Sequence, residues 1–358
     1  MRSWRILADD LTGALDCGAA WAGTAEVPVF LDRPAPSAQM VQIVATCTRD
    51  VPLSELPALL APSLEWLVKS GSAYKKVDSL LRGNTFSEVA WLLGSGRFAG
   101  AVFAPAFPAQ GRFTAQGCHW VAPPHQPHGP RTHEHPCSLV QAFAALGFEA
   151  NISDPILGCA QVAPLLVIPN VLSDHDMDRI AALALSPQAQ RWLWCGSAGL
   201  AWALARQTTH IARVALPNPI RGAILMVTAS RHPVLREQLR QLGQLDASVE
   251  LHDFAVAQAL DPSEARERLM QQMIGLVSTA ARPAALVVVG GDTLLRLCRA
   301  AEVRSLLAGP SPRAGWGCAR LVGGQWDGLT CYSRSGAFGA PEDLHALLVT
   351  LSPLHPGH

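Results

Sequence analysis

Short apolar runs recur along the chain, each ending in a polar or glycine-rich break and followed by a longer segment of helical periodicity. Trp4 to Leu7, Val27 to Leu31, Val41 to Thr46, Gly100 to Phe103, Leu165 to Ile168, Trp192 to Cys195, Ile224 to Val227 and Leu286 to Val289 read as buried strands. Ala14 to Ala22, Leu53 to Lys69, Asp174 to Leu185, a segment opening at Gly196 to Ala201, Val234 to Leu242 and a segment ending at Arg299 read as helices. Strands alternating with helices predict an α/β protein with mostly parallel sheets. Residues 208–221, with Pro217 and Pro219, break the alternation, which restarts beyond them. The expected organisation is a domain over 1–207, a linker over 208–221 and a second domain over 222–358.

Composition narrows the class. With 49% hydrophobic residues, 16% charged residues and a formal net charge of zero, the chain reads as compact and globular. No basic stripe points to nucleic acid. Nine cysteines occur without a Cys-x-x-Cys pair, which suits reduced core residues in a cytoplasmic protein. Arg2 and Arg5 give way at once to Asp9 and Asp10, so no signal-peptide core is expected, and no apolar run is long enough to span a membrane.

Candidate chemistry gathers at the breaks after strands, where α/β sheets bind ligands. Asp9 and Asp10 stand between the first strand and the first helix, followed by Thr12 and Gly13. Two acids there suit a cation or sugar hydroxyls, and a helix N-cap by Asp10 or Thr12 is the simpler alternative. The block from Tyr74 to Asn84 concentrates Lys76, Asp78, Ser79, Arg82 and Asn84, groups able to grip a carboxylate and several hydroxyls. A surface salt bridge from Arg82 to Asp78 or Glu88 would also account for its charges. Arg112 follows a rigid Pro-containing turn that begins at Ala104. His119, His125, His128, His133 and His135 lie among Pro123, Pro124, Pro127 and Pro130, which reads as an irregular solvated loop or flap and as no metal site. Gly196 to Gly199 reads either as an anion cradle or as tight strand-to-helix packing. Gly290, Gly291, Asp292 and Thr293 open a helix after a buried strand, a place suited to phosphate. Ser333 to Gly339 reads as a glycine-punctuated loop carrying the cation Arg334, with an acidic helix start at Pro341 to Asp343.

Taken in order, Ala8 to Ala14, Lys76 to Asn84, Ala104 to Pro108 with Gly111 and Arg112, Gly290 to Thr293, and Ser335 to Gly339 resemble the four-carbon acid sugar kinase family over almost the whole chain. The resemblance implies two three-layer-like α/β domains with the active site in the cleft between them, the N-terminal one binding the sugar acid and the C-terminal one the nucleotide. It implies phosphorylation of the terminal hydroxyl of erythronate, threonate or a 3-oxo-tetronate by ATP with Mg²⁺. Asp9, Asp10, Lys76, Asp78, Ser79, Arg82 and Arg112 would surround the sugar acid, with Asp10 or Asp9 orienting or deprotonating the hydroxyl and Arg82 holding the carboxylate. Ser230, Gly290, Gly291, Asp292, Thr293, Arg334 and Gly336 would meet the nucleotide. The implied partners are a small sugar acid and ATP, and a homodimer is compatible with this reading.

Three positions depart from the family pattern. Ala229 replaces a glycine, Leu235 a threonine and Arg334 a lysine. They motivate a second reading, a catalytically silent sugar-acid-binding relative. An aspartyl-phosphate phosphatase fits less well, since its two acids need one residue between them and Asp9 and Asp10 are adjacent.

Overall fold

The computed structural model describes residues 3–23, 25–123, 131–152, 165–208, 217–242, 248–256, 261–313 and 315–352, without the side chains of 133–137 and 262. The chain divides into two compact units, Met1–Trp21 with Val27–Ala212, and Ala22–Glu26 with Arg213–His358.

The first unit contains strands β1 (Trp4–Ala8), β2 (Val27–Leu31), β3 (Val41–Ala45), β4 (Ser72–Lys76), β5 (Gly100–Ala104), β6 (Arg112–Ala115), β7 (Cys118–Val121), β8 (Thr132–Ser138), β9 (Ala150–Ile152), β10 (Leu165–Ile168) and β11 (Trp192–Gly196). Its helices are α1 (Leu11–Trp21), α2 (Leu56–Val68), α3 (Thr85–Gly94), α4 (Leu139–Ala144), α5 (Asp174–Ala184) and α6 (Ala198–Thr208). The main sheet runs β2-β3-β1-β4-β11-β5-β10-β9 with every pair parallel. Its central strands are buried on both faces, which explains their continuous apolar character. Leu7, Val44, Ala73, Phe103 and Leu193 pack against α2, α3 and α4. Intervening residues point the other way by the two-residue period of a strand. There α1 packs on α6, and α6 on α5.

Strand order creates the site. From β1 the chain passes to β2 and β3 on one side, then crosses to β4 on the other. The order therefore reverses between β1 and β4, and a crevice opens outside their carboxyl ends. Ala8 pairs with Ala45 and with Lys76, so Asp9, Thr46 and Val77 leave the sheet side by side.

One sequence expectation changes here, and one open alternative is decided. Residues 119–135 do not form one irregular loop: β6, β7 and β8 make a separate antiparallel sheet, and His119 lies on β7, fully buried. His125 and His128 lie outside the described residues, as do the side chains of His133 and His135. Gly196 to Gly199 is a packing turn. Ser197 Oγ donates to the Ala106 carbonyl at 2.7 Å, Tyr74 donates to the Ser197 carbonyl at 2.5 Å, and the start of α6 is buried.

The second unit contains β12 (Ile224–Thr228), β13 (Val249–Asp253), β14 (Ala285–Val289), β15 (Ser305–Gly309), β16 (Gly317–Val322) and β17 (Thr330–Arg334), with α7 (Pro233–Gln241), α8 (Pro262–Thr279), α9 (Gly291–Ala300) and α10 (Asp343–Leu351). Its strands run β13-β12-β14-β17-β16-β15, the first four parallel and β16 antiparallel to both neighbours. Helices α7 and α10 pack together, as do α8 and α9. The order again reverses, now between β12 and β14. Most of residues 208–221, the expected linker, lie outside the described residues.

The packing turn is testable. A methyl group on Gly199 would lie 2.8 Å from the Ala106 carbonyl and 3.1 Å from Phe107 Cα. Gly199→Ala is expected to lose about 1–3 kcal/mol of stability in urea denaturation. An alanine variant as stable as the wild type would remove the packing assignment.

Candidate functional site

At the end of β1 the chain turns into α1 through Asp9 and Asp10. Asp10 Oδ1 accepts the Gly13 N–H at 3.1 Å, so it caps the helix. Capping is only part of its role. Arg49 Nη2 donates to the same oxygen at 2.7 Å, Arg49 Nε donates to Asp9 Oδ2 at 2.7 Å, and Thr12 Oγ1 donates to Asp10 Oδ2 at 2.5 Å. One guanidinium thus bridges both acids, in the fork geometry that only arginine provides.

Arg49 is held in place from its backbone. It follows β3, and Cys47 turns the chain with φ 54°. The Asn84 N–H donates to the Arg49 carbonyl at 2.8 Å, and the Asn84 amide donates to the Thr48 and Val51 carbonyls at 2.9 and 2.8 Å. Asn84 therefore anchors the Arg49 segment. Gly83, at φ 64°, has to be glycine, because a Cβ there would run into the Arg49 carbonyl.

Lys76 approaches from β4. A methyl group on Gly13 would collide with both Lys76 Nζ and Asp10 Oδ1, so the glycine lets the ammonium lie against the start of α1. Burial opposes the Lys76 charge, but Asp9 and Asp10 outweigh it and raise its pKa above the ordinary value. Burial would likewise push the Asp9 carboxyl up, yet Arg49, Lys76 and Lys75 hold it below the usual range.

Asp78 and Arg82 form the next layer. Arg82 donates from Nε and Nη2 to the two Asp78 oxygens, both at 2.7 Å, and Asp78 Oδ2 also accepts the N–H groups of Leu80 and Arg82. Arg49 Nη2 lies 3.5 Å from Asp78 Oδ1. Burial works against the Asp78 charge, and Arg49 and Arg82 overcome it, holding the carboxyl far below the usual range. The pairing of Arg82 with Asp78 is thus real, but it is no surface bridge: the Asp78 side chain is 7% exposed. Glu88 pairs elsewhere, with Lys75 at 2.7 Å.

Ser79 and Arg112 join through a residue outside the expected set. His119 shares a hydrogen bond of 2.8 Å with the Ser79 carbonyl through Nε2. Burial, with Arg112 nearby, lowers its pKa to about 4, so the ring is neutral near pH 7, and Nε2 is then the donor. Arg112 is 1% exposed and donates through Nη1 to the Gln110 carbonyl. The signal for Arg49 was its place just beyond a parallel strand beside the switch point. For His119 it was the alternation around Phe113, Thr114, His119 and Trp120, obscured by the prolines that follow.

In the second unit Ser230, Gly290, Thr293 and Gly336 meet at the carboxyl ends of β12, β14 and β17. The Ala229 N–H donates to Thr293 Oγ1 at 3.2 Å, and Thr228 Oγ1 donates to the Val289 carbonyl at 2.8 Å. A Cβ on Gly336 would strike Ser230 Oγ, and one on Gly290, at φ 119°, would lie 3.0 Å from Thr293 Oγ1. Gly291 and Asp292 occupy the first turn of α9, where Asp292 is 53% exposed and lies 3.3 Å from Arg296. Arg334 differs from expectation. It ends strand β17 instead of riding on a loop, and its guanidinium is enclosed by the Trp316 ring at 4.5 Å, Gln238 and Asp343. Burial lowers its pKa to about 10. Leu235 is fully buried in the core against α10.

Known proteins resemble the chain in sequence and fold. Residues 4–142 match the family described as the sugar-binding N-terminal domain. A D-threonate kinase of Bordetella bronchiseptica is 29% identical over 395 aligned residues, covering 95% of each chain. A D-threonate kinase of Cupriavidus necator is 33% identical over 260 residues, covering 64% of this chain and 60% of that one. A solved structure from Salmonella typhimurium, described as a putative tRNA synthase, matches with a TM-score of 0.70 at 18% identity over 97% of this chain and 98% of its own. At that identity the last likeness concerns the fold alone. Among the described residues, no helix is long and apolar enough to cross a membrane. With a sugar-binding match over residues 4–142 and one D-threonate kinase aligned over 95% of each chain, this chain is similar to the four-carbon acid sugar kinases.

Proposed function

We propose that the protein transfers the γ-phosphoryl group of ATP to the terminal hydroxyl of a four-carbon sugar acid, with D-threonate as the first substrate to try. The observation that carries this reading is the Arg49 bridge between Asp9 and Asp10, which sets two carboxylates beside Lys76 at the carboxyl ends of β1 and β4. The D-threonate kinase relatives support the substrate class.

Phosphoryl transfer depends mainly on positioning and charge neutralisation. The sugar hydroxyl forms a bond to the γ-phosphorus, the bond to the β-phosphate oxygen breaks, and the hydroxyl proton must find a base. Asp10 is the better placed of the two acids, its side chain being 11% exposed against 2% for Asp9. Asp9 holds Arg49, and Asp10 takes the proton. Arg82, 42% exposed while its Nε and Nη2 engage Asp78, offers its outer edge to the substrate carboxylate. In the second unit, the backbone N–H groups of Gly291, Asp292 and Thr293 at the start of α9, with the Ser230 hydroxyl beside them, receive the nucleotide phosphates.

Mg²⁺ fits as an ion carried in on those phosphates. Such ions need only one or two protein carboxylates, and Asp292 supplies an exposed one in the first turn of α9. Such an ion would supply charge neutralisation on the phosphates, with Asp292 the residue placed to hold it. Two departures leave the turn intact: Leu235 is a core residue, and Ala229 contributes only its backbone N–H. This favours a working kinase over a silent binding protein.

Turnover of ATP with Mg²⁺ against erythronate, threonate and 3-oxo-tetronate isomers tests the reading. Activity is expected with at least one isomer, and Asp10→Asn is expected to lower kcat by about 10²-fold or more. No turnover across the panel, with sugar-acid binding still measurable by calorimetry, would instead establish a binding protein.

His119 supplies a pH prediction. Its folded pKa of about 4 lies below the ordinary value near 6.5, so the unfolded chain binds more protons between them, and stability falls as pH drops through that window. The full effect is on the order of 3 kcal/mol, reached below pH about 4. Asp16, raised by burial to about 6, acts in the opposite sense, its contribution being lost as pH rises through 6. The difference between wild type and His119→Gln therefore isolates the histidine. Denaturation midpoints at pH 7 and pH 5 should show a smaller acid loss in the variant; equal losses would contradict the burial of a neutral ring.

A further inference from the structure

Behind Asp9, Asp10 and Arg49 lies a second group of charges sealed from solvent. Lys75 and Glu88 are 0% exposed, with Lys75 Nζ 2.7 Å from Glu88 Oε2. Lys75 Nζ also donates to the Lys76 carbonyl at 3.1 Å. Glu88 Oε1 accepts from Thr48 Oγ1 at 2.9 Å. Thr48 Oγ1 lies 2.7 Å from Thr46 Oγ1, which reaches the Ala8 carbonyl at 3.0 Å. The path touches the residue before Asp9, the residue before Arg49, and Lys76 itself, tying α3 to the carboxyl ends of β1, β3 and β4.

Stability alone does not explain such a pair. Withdrawing two charges from water largely cancels their attraction, and well-packed apolar residues of similar volume often serve a core as well or better. What an apolar pair cannot do is hold a threonine hydroxyl and a strand carbonyl in fixed directions. Misplacing a binding group by about 1 Å can cost about two orders of magnitude in rate. We infer that the Lys75–Glu88 ion pair is a positioning element, fixing the aim of Arg49 through Thr48 and of Lys76 through its carbonyl. Neither residue touches the ligand. The consequence for the sugar acid rests on the function proposed above, whereas the consequence for Arg49 does not.

Single substitutions would strand one buried charge, so two double variants make the test. K75M/E88L removes both charges and the acceptor for Thr48. K75M/E88Q removes the charges but keeps an acceptor. Both are expected to melt close to the wild type. The leucine variant should raise KM for the sugar acid about tenfold or more with KM for ATP little changed, and the glutamine variant should restore the part carried through Thr48 and Arg49 while the part carried through the Lys76 carbonyl stays lost in both. The crystal structure of the leucine variant should show Arg49 displaced from at least one of Asp9 and Asp10. A folded leucine variant with Arg49 in its original place overturns the inference, as does an unchanged KM for the sugar acid. Wild-type protein that neither binds nor phosphorylates any tetronate overturns the proposed function instead, and the position of Arg49 still decides the positioning claim.

Discussion

A carboxylate at the end of a buried strand loses hydration and is driven toward its protonated form unless a fixed cation lies beside it, as burial and Arg49 act on Asp9. Arg49 is that cation. Its Nε reaches Asp9 and its Nη2 reaches Asp10, both at 2.7 Å, and the same Nη2 lies 3.5 Å from Asp78. Much of the surrounding structure serves to keep it there. Gly83 leaves room for its carbonyl, Asn84 ties down the segment on either side, and Asp10 is oriented as the cap of α1. The charge that remains on the acids is available to hydroxyl groups.

The two units solve the same geometric problem separately. In each, strand order reverses beside the strand that begins the unit, and the functional loops leave the sheet at that reversal. The chemistry differs with the residues placed there. The β1–β4 crevice holds side-chain charges, which suits a polyhydroxy acid. The β12–β14 crevice holds glycines, small hydroxyls and a helix start, which suits phosphates bound by backbone N–H groups.

Much of this was legible in the chain itself. Strands β2 and β10 were readable to the residue, because strands buried on both faces are uninterrupted apolar runs. Asp9, Asp10, Lys76, Asp78 and Arg82 do come together, although β4, which ends at Lys76, was not read as a strand because its Ser-Ala-Tyr-Lys-Lys sequence lacks an apolar run. Arg49 was not readable, since one charged residue beyond a strand acquires meaning only when strand order sets that strand beside β1. The Lys75–Glu88 pair was hidden for a similar reason: consecutive lysines on a strand look alike, although pleating sends them to opposite faces. Strand β13, with only Val249 buried, lacked the apolar run that marks the others. The prolines after His119 masked an antiparallel sheet, and Arg334, read as a loop cation, ends a strand against Trp316.

The measurement closest to the central claim is the affinity of D-threonate across pH 5.5 to 8 by calorimetry, for the wild type and for Arg49→Met. With Arg49 present the Asp9 carboxyl is held below the usual range, and wild-type affinity should vary little with pH. Without it burial of Asp9 is no longer offset by that cation, so the variant should bind more weakly and gain affinity as pH rises. A variant that binds as tightly as the wild type, with the same flat profile, would contradict the account.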